Sequence, residues 1–156
     1  MKTCLRLLIL ATAATVFPSN IFAQCGGERW SVKTGTDLDV GLVNLTSPTS
    51  TTLSNLTSLA TPASVPDNNR IQPTETTLWV MNATLKQYQK QADSDYHLLL
   101  ADATGRQMIA EIVSPNCVAP SSPFSPGIAR ARAQFNARFT ATSALKSANV
   151  PVQITG

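Results

Sequence analysis

One short segment of the chain concentrates side chains that could carry out chemistry. Asp93, Asp95 and His97 alternate along it, and His97 is the single histidine of the sequence. Because alternate residues of an extended strand share a face, these three side chains would point in the same direction. Carboxylates around an imidazole can hold a hard cation or serve as an acid–base group. The pattern therefore indicates a candidate site of one of these two kinds.

A predicted β-hairpin brings a fourth group to this face. The residues Asp102-Ala103-Thr104-Gly105 are typical of a tight turn with the glycine in the left-handed position. If the turn is a three-residue loop with Gly105 as its bulge, the strand register places His97 opposite Glu111. The candidate metal ligands are therefore Asp93, Asp95, His97 and Glu111. Within this set, His97 and Glu111 are the candidate catalytic acid–base groups of a metal-assisted hydrolase.

The same residues have a plainer interpretation. Asp93 and Ser94 are common turn residues, so the acidic segment can simply connect two strands. His97 and Glu111 can then be an ordinary cross-strand pair on the solvated face of the hairpin. We therefore expect a His97–Glu111 contact with no tightly bound metal and no other cofactor.

Signatures of other enzyme classes are missing from the sequence. It contains no Gly-x-Ser-x-Gly motif, no phosphate-binding glycine-rich loop and no Cys-x-x-Cys pair. We therefore predict a non-enzymatic binding module with an extracellular or periplasmic ligand of unknown identity. The metal-assisted hydrolase and a structural envelope protein are the two alternatives.

The N-terminus predicts export. Lys2 and Arg6 precede an apolar run, and the segment ends at the small residue Ala23. This is the layout of a cleaved secretory signal peptide over residues 1–23, with an apolar part too short to span a bilayer. No later stretch approaches the ~20 apolar residues of a transmembrane helix. The mature protein is thus expected to be secreted or periplasmic and to begin near Cys25.

Removal of the signal peptide changes the charge and the cysteine count. The signal contains two of the 12 basic residues and none of the nine acidic ones, which leaves a net formal charge of +1. This balance gives no specific nucleic-acid signal. Cys25 and Cys117 remain, and an oxidising compartment favours a disulfide between them. A lipid-modified Cys25 and two free thiols are the alternatives.

Composition divides the mature chain into three segments. Residues 24–45 contain an alternating run, 29–34, that predicts a short N-terminal strand. Residues 46–70 are rich in Ser, Thr and Pro, which is typical of a linker or long surface loop. Residues 71–156 are expected to form the β-rich domain.

Within that domain, alternation and turn residues predict four strands, at 77–88, 96–101, 107–113 and 150–155. A helix is predicted at about 127–139, with Arg130 and Arg138 in water and Arg132 nearby. Its apolar side is expected to plug the open end of a barrel with Phe124, Ile128, Phe135 and Phe139. Three antiparallel strands, a helix and a further strand follow the order of an OB-like barrel. We therefore predict a mainly β, α+β fold of this type.

Several stretches carry a resemblance to known proteins, namely Cys25-Gly26-Gly27-Glu28-Arg29-Trp30, Val32-Lys33-Thr34, Asp93-Ser94-Asp95-Tyr96-His97-Leu98, Met108-Ile109-Ala110-Glu111-Ile112 and Cys117. Through them the chain resembles a family of secreted bacterial proteins that has an OB-like pattern and no established activity. Members of that family carry an acidic residue in place of Gln91 and continue past the equivalent of Gly156 into a closing strand. The resemblance implies that this chain is short at its C-terminus and that its barrel has an exposed edge.

Overall fold

The computed structural model of the protein describes residues 25–27 and 29–156. The predicted signal peptide lies outside these residues. The described chain forms a sheet-dominated α+β structure. Its strands are β1 (Thr49–Ser50), β2 (Trp79–Lys90), β3 (Tyr96–Ala101), β4 (Gln107–Ile112) and β5 (Lys146–Thr155). Its α-helices are α1 (Trp30–Thr34), α2 (Leu53–Thr57) and α3 (Ser125–Asn136). Across the described residues, no helix is long and apolar enough to cross a membrane.

The sheet is built around β2. Strands β3 and β5 flank it on opposite sides and run antiparallel to it, and β4 pairs with the far side of β3. The short β1 runs parallel to the start of β2, with Thr49 beside Trp79. In the part of the chain that the structure describes, β4 and β5 are the edges and do not pair with each other. The sheet is therefore open, and the predicted OB-like barrel is not confirmed.

A β-bulge in β2 keeps its large apolar side chains on one face. Leu85 pairs with Leu100 and Tyr88 pairs with Leu98, so three steps along β2 match two steps along β3. The extra residue restores the alternation that a separation of three would otherwise break. The buried core on this face consists of Leu53, Met81, Leu85, Tyr88, Leu98, Leu100 and Phe135.

Helix α3 docks on this core through Phe135, which is 7% exposed. The centroid of its ring lies 5.0–5.2 Å from those of Tyr88, Tyr96 and Phe139. Aromatic rings at such distances add to the free energy of burial. The helix was predicted at about 127–139 and spans Ser125–Asn136, with Phe139 in the turn that follows it.

Two members of the predicted apolar stripe, Ile128 and Phe124, are not in the core cluster. The place predicted for Phe124 is wrong. It lies beside Gly35, and the guanidinium carbon of Arg70 is 4.9 Å from the centroid of its ring. Phe124 therefore packs against the N-terminal segment and does not join the core cluster. Phe124 has helical φ and ψ as the N-cap residue of α3, so its place is set by its contacts with Gly35 and Arg70 and not by a break in the helix.

Arg132 of α3 is a buried cation that the helix periodicity did not reveal. Its guanidinium carbon lies 3.5 Å from the centroid of the Tyr96 ring. Its Nη2 donates to the carbonyl oxygens of Ser94, at 3.0 Å, and Ile112, at 2.7 Å. A planar guanidinium can stack on an aromatic ring and donate at its edge at the same time. Arg132 therefore ties α3 to the open end of the β3–β4 hairpin, whereas Arg130 and Arg138 are exposed as predicted.

The N-terminal strand predicted at 29–34 is wrong, because this segment is helix α1. The helix ends at Gly35, whose φ of 68° is left-handed and whose N–H donates to Ser31 O. The Thr34 hydroxyl donates to Trp30 O at 2.8 Å. Six alternating residues fit a short helix as well as a strand, and a left-handed glycine is a strong helix stop.

The interpretation of residues 46–70 as a linker or surface loop holds for residues 58–70, which have no helix or strand and are mostly exposed, but needs correction before them. This segment contains β1 and α2, and the Thr52 hydroxyl caps α2 by accepting from the Asn55 N–H at 3.1 Å. Leu53 is only 1% exposed and belongs to the core. A low average hydrophobicity therefore does not prevent one well-placed leucine and one helix cap from fixing such a segment.

Candidate functional site

The β3–β4 hairpin positions the two central side chains of the site. Its turn pairs Asp102 with Arg106, and Gly105 takes a left-handed φ of 86°. This loop sets the register that places His97 opposite Glu111. The Nε2 atom of His97 lies 2.6 Å from Glu111 Oε1, with both side chains about one-third exposed. The predicted cross-strand contact is therefore confirmed, on the face of the hairpin opposite the core.

Lys33 of α1 is a further member of the site that the sequence analysis missed. Its Nζ atom contacts Glu111 Oε2 and lies 3.6 Å from Asp95 Oδ2. The ammonium group thus lies between two carboxylates that were candidate ligands of a metal. No local pattern connects Lys33 with these residues, because only the packing of α1 beside the hairpin brings them together.

Asp95 is the buried acid of the site, with a side chain that is 0% exposed. Its Oδ1 atom accepts a hydrogen bond from the Ser114 N–H at 2.8 Å, whereas Oδ2 has no hydrogen-bond partner. Burial raises the pKa of Asp95, and the nearby Asp93 carboxylate adds to this effect. The Ser114 hydrogen bond and the Lys33 charge act in the opposite direction without cancelling it. The carboxylate is thus less stable here than in water.

Asp93 lies in the turn between β2 and β3, as the plainer interpretation expected. Its Oδ1 atom accepts the Asp95 N–H at 3.0 Å, and the Gln91 N–H donates to Asp95 O at 2.8 Å. These bonds close the turn and fix the point at which β3 begins. Asp93 therefore shapes the site and adds negative charge near Lys33.

The charges around Lys33 determine what its amine can do. Burial by itself lowers the pKa of Lys33, but the hydrogen bond and charge of Glu111, with the charges of Asp95 and Asp93, outweigh this effect and raise it. An amine with a raised pKa stays protonated at neutral pH. Lys33 therefore acts as a cation in this site and not as a nucleophile or a general base.

One disulfide and one hydrogen bond hold α1 beside the hairpin. Cys25 and Cys117 form a disulfide, with their Cα atoms 5.5 Å apart, and Cys117 lies shortly after β4. The Ser122 hydroxyl, which is buried, donates to Thr34 O at 2.6 Å. These contacts tie the segment before α1 and the last residue of α1 to the chain that follows β4, so the backbone position of Lys33 is set by the fold.

Two arginines complete this anchoring. The guanidinium of Arg29 binds the Glu75 carboxylate with both Nη atoms, and the Arg29 hydrogen bond lowers the pKa of Glu75 although burial opposes it. Arg70 binds the buried Asp37 carboxylate through Nε at 3.1 Å and Nη2 at 2.7 Å, and Nη2 also donates to Val32 O. Bidentate pairs of this kind are geometrically specific. They connect α1 with the segment that leads into β2.

A surface cleft of about 330 Å³ opens next to the Lys33–Glu111 pair. The residues that line it are Arg29, Val32, Lys33, Glu75 and Glu111. The lining of the cleft therefore consists of two ion pairs and one largely buried valine. A volume in this range accommodates a small organic molecule or a single long side chain.

The four candidate metal ligands lie near one another but do not form a ligand set. Within residues 25–27 and 29–156, no group of three or more His, Cys, Asp and Glu side chains is arranged to hold a metal ion. Lys33 is instead the cation that contacts two of these carboxylates.

Comparison of the chain with protein-family models, curated proteins and solved structures finds no match.

Proposed function

We propose that the protein is an exported, non-enzymatic binding module whose ligand occupies the cleft beside Lys33 and Glu111. The observation that carries this proposal is the Lys33 ammonium between Glu111 and Asp95, at the wall of an open cleft. Charged groups that are fixed by the fold and exposed at a cleft can recognise a ligand without any change in covalent bonds.

The geometry favours binding over the hydrolase alternative. A metal-assisted hydrolase would need the carboxylates of Asp95 and Glu111 free to bind a metal or accept a proton. In the structure an internal ammonium already contacts Glu111, and the burial of Asp95 disfavours its charged form. The remaining His97–Glu111 pair has the form of a surface contact between neighbouring strands.

Two further features support the proposed setting of this module. The signal-peptide pattern at residues 1–23 and the Cys25–Cys117 disulfide both suit an exported protein. The strand order β5-β2-β3-β4, with α3 between β4 and β5, is that of a Greek key and supports an OB-like relationship. Edman sequencing of the exported protein would test the first feature, since we expect its N-terminus near Cys25.

The binding function is tested by NMR titration of the disulfide-bonded protein with a library of small cationic, neutral and anionic compounds. We expect at least one class to shift the backbone amide signals around Lys33, Glu75 and Glu111. If no class shifts them, the cleft is not a ligand site. The same samples, titrated with Ca²⁺, Mn²⁺ and Zn²⁺, test the alternative. A stoichiometric metal that is lost in His97→Ala would favour the hydrolase.

A further inference from the structure

The carboxylates around Lys33 outnumber the cations. Arg29 and Glu75 also line the cleft, and they form a bidentate pair with each other. Lys33 contacts Glu111 and lies beside the buried Asp95. Asp93 adds a further acidic group within electrostatic range of Lys33. Three carboxyl groups therefore lie near one lysine and one histidine, an arrangement that favours the binding of cations.

A second observation concerns the buried oxygen of Asp95. Its Oδ2 atom has no hydrogen-bond partner, and the closest cation, Lys33 Nζ, is 3.6 Å away. An N–H···O hydrogen bond has a heavy-atom distance of about 2.7–3.2 Å. The Lys33 ammonium instead contacts Glu111. Burying a carboxylate oxygen without a hydrogen bond costs free energy. A small movement of the Lys33 ammonium towards Asp95 would therefore lower this cost.

We propose that the cleft binds an organic cation, namely an alkylammonium or alkylguanidinium group. The charged group of the ligand binds the Glu111 carboxylate in place of Lys33, and the Lys33 ammonium moves to within hydrogen-bond distance of Asp95 Oδ2. This inference rests on the proposed function, because it requires the cleft to be a ligand site. The ligand's charged group replaces Lys33 at the Glu111 carboxylate, which belongs to a side chain about one-third exposed. Lys33 remains paired throughout, and the buried Asp95 gains the partner that it lacks.

The shape of the cleft agrees with such a ligand. Val32, which is 9% exposed, contributes a small apolar surface beside the charged groups, against which an aliphatic stem can pack. A volume of about 330 Å³ suits a free alkylamine or one basic side chain of a larger molecule. The shared chemistry is a cationic head on a short aliphatic chain, for which n-butylammonium and n-butylguanidinium are suitable probes.

The test is a calorimetric and NMR titration of the disulfide-bonded protein with these two probes, using n-butanol and butyrate as uncharged and anionic controls. We expect the cations alone to bind and to shift the amide signals of Lys33, Asp95 and Glu111. Glu111→Gln removes the ligand's partner and is expected to weaken binding about tenfold or more. Lys33→Met removes the competing internal cation and is expected to strengthen binding. Asp67→Asn changes an exposed acid outside the cleft and is expected to leave affinity unchanged.

The opposite signs of the Lys33 and Glu111 effects make the inference falsifiable. Equal binding of the cations to the Glu111→Gln protein, or weaker binding to Lys33→Met, would overturn it. If Lys33→Met does not fold, as judged by circular dichroism, Lys33→Gln replaces it with the same expected sign. Binding of butanol or butyrate in place of the cations would overturn the inference and leave the proposed function standing. If none of the probes and no library compound binds, both the inference and the proposed function fail.

Discussion

Gly35 and Phe124 approach so closely that position 35 has no room for a side chain. A Cβ atom on Gly35 would lie 2.8 Å from Phe124 Cδ2 and 2.9 Å from Ser122 Oγ. The φ of Gly35, 68°, is also one that residues with a Cβ rarely adopt. This single glycine therefore ends α1 and lets the chain before α3 pack directly against it.

Gly35→Ala is accordingly expected to destabilise the protein by about 1–3 kcal/mol, from the left-handed φ and the close contact together. Chemical denaturation followed by circular dichroism measures this change. Gly41→Ala is the matched control, since a Cβ at Gly41 meets nothing within 4 Å and the φ there is not left-handed. A loss of stability in Gly41→Ala equal to that in Gly35→Ala would contradict the assignment.

Asp95→Asn should be more stable than the unaltered protein at neutral pH. The amide oxygen can still accept the Ser114 N–H, and the buried charge is gone. Because burial raises the pKa of Asp95 in the fold, its ionisation costs stability as the pH rises from the ordinary aspartate pKa near 3.8 through the raised value.

The difference between the two proteins should therefore be largest at about pH 7 and vanish at or below about pH 4. Thermal melts across this range measure it, with Asp67→Asn as an exposed control. A variant that is less stable at neutral pH, or a difference that does not depend on pH, would show that Lys33 stabilises the Asp95 carboxylate more than burial opposes it.

Leu53 provides a test of the Ser/Thr/Pro-rich segment. The side chain is 1% exposed, so Leu53→Ala is expected to cost about 2–5 kcal/mol in stability. Leu59 lies in the same segment but is 50% exposed, and Leu59→Ala should cost less than about 0.5 kcal/mol. Urea denaturation of both variants measures these changes in the free energy of unfolding. Equally small effects would mean that the segment does not pack on the sheet.

Phe135 lies on the buried side of α3, whereas Arg138 is exposed in the turn that follows the helix. Comparing substitutions at these two positions tests how α3 docks. Phe135→Ala removes a ring in contact with two tyrosines and Phe139, and we expect a loss of about 3–5 kcal/mol. Arg138→Ala alters an exposed side chain and should change stability by less than about 0.5 kcal/mol. Thermal unfolding of the two variants under one condition measures both. Similar melting temperatures would rule out the docking of α3 through Phe135.

Local patterns were sufficient for the hairpin and insufficient for its surroundings. The Asp102–Gly105 turn determines a register by itself, so the His97–Glu111 contact followed from the sequence. Lys33 could not be found in this way, because its place depends on a disulfide and on hydrogen bonds to distant parts of the chain. Helix α1 and Leu53 were missed for the same reason, since tertiary contacts outweigh weak local preferences in short segments.

The place of β5 in the sheet has a consequence for the order of folding. Thr155 pairs with Val80, so the strand that follows the other four in sequence completes one side of the strand at the centre of the sheet. Until residues 146–155 pair with it, β2 has no partner on that side. Contacts between residues so far apart in sequence form late and slowly. The sheet is therefore expected to be completed late in folding, after residues 146–155 have become available to β2.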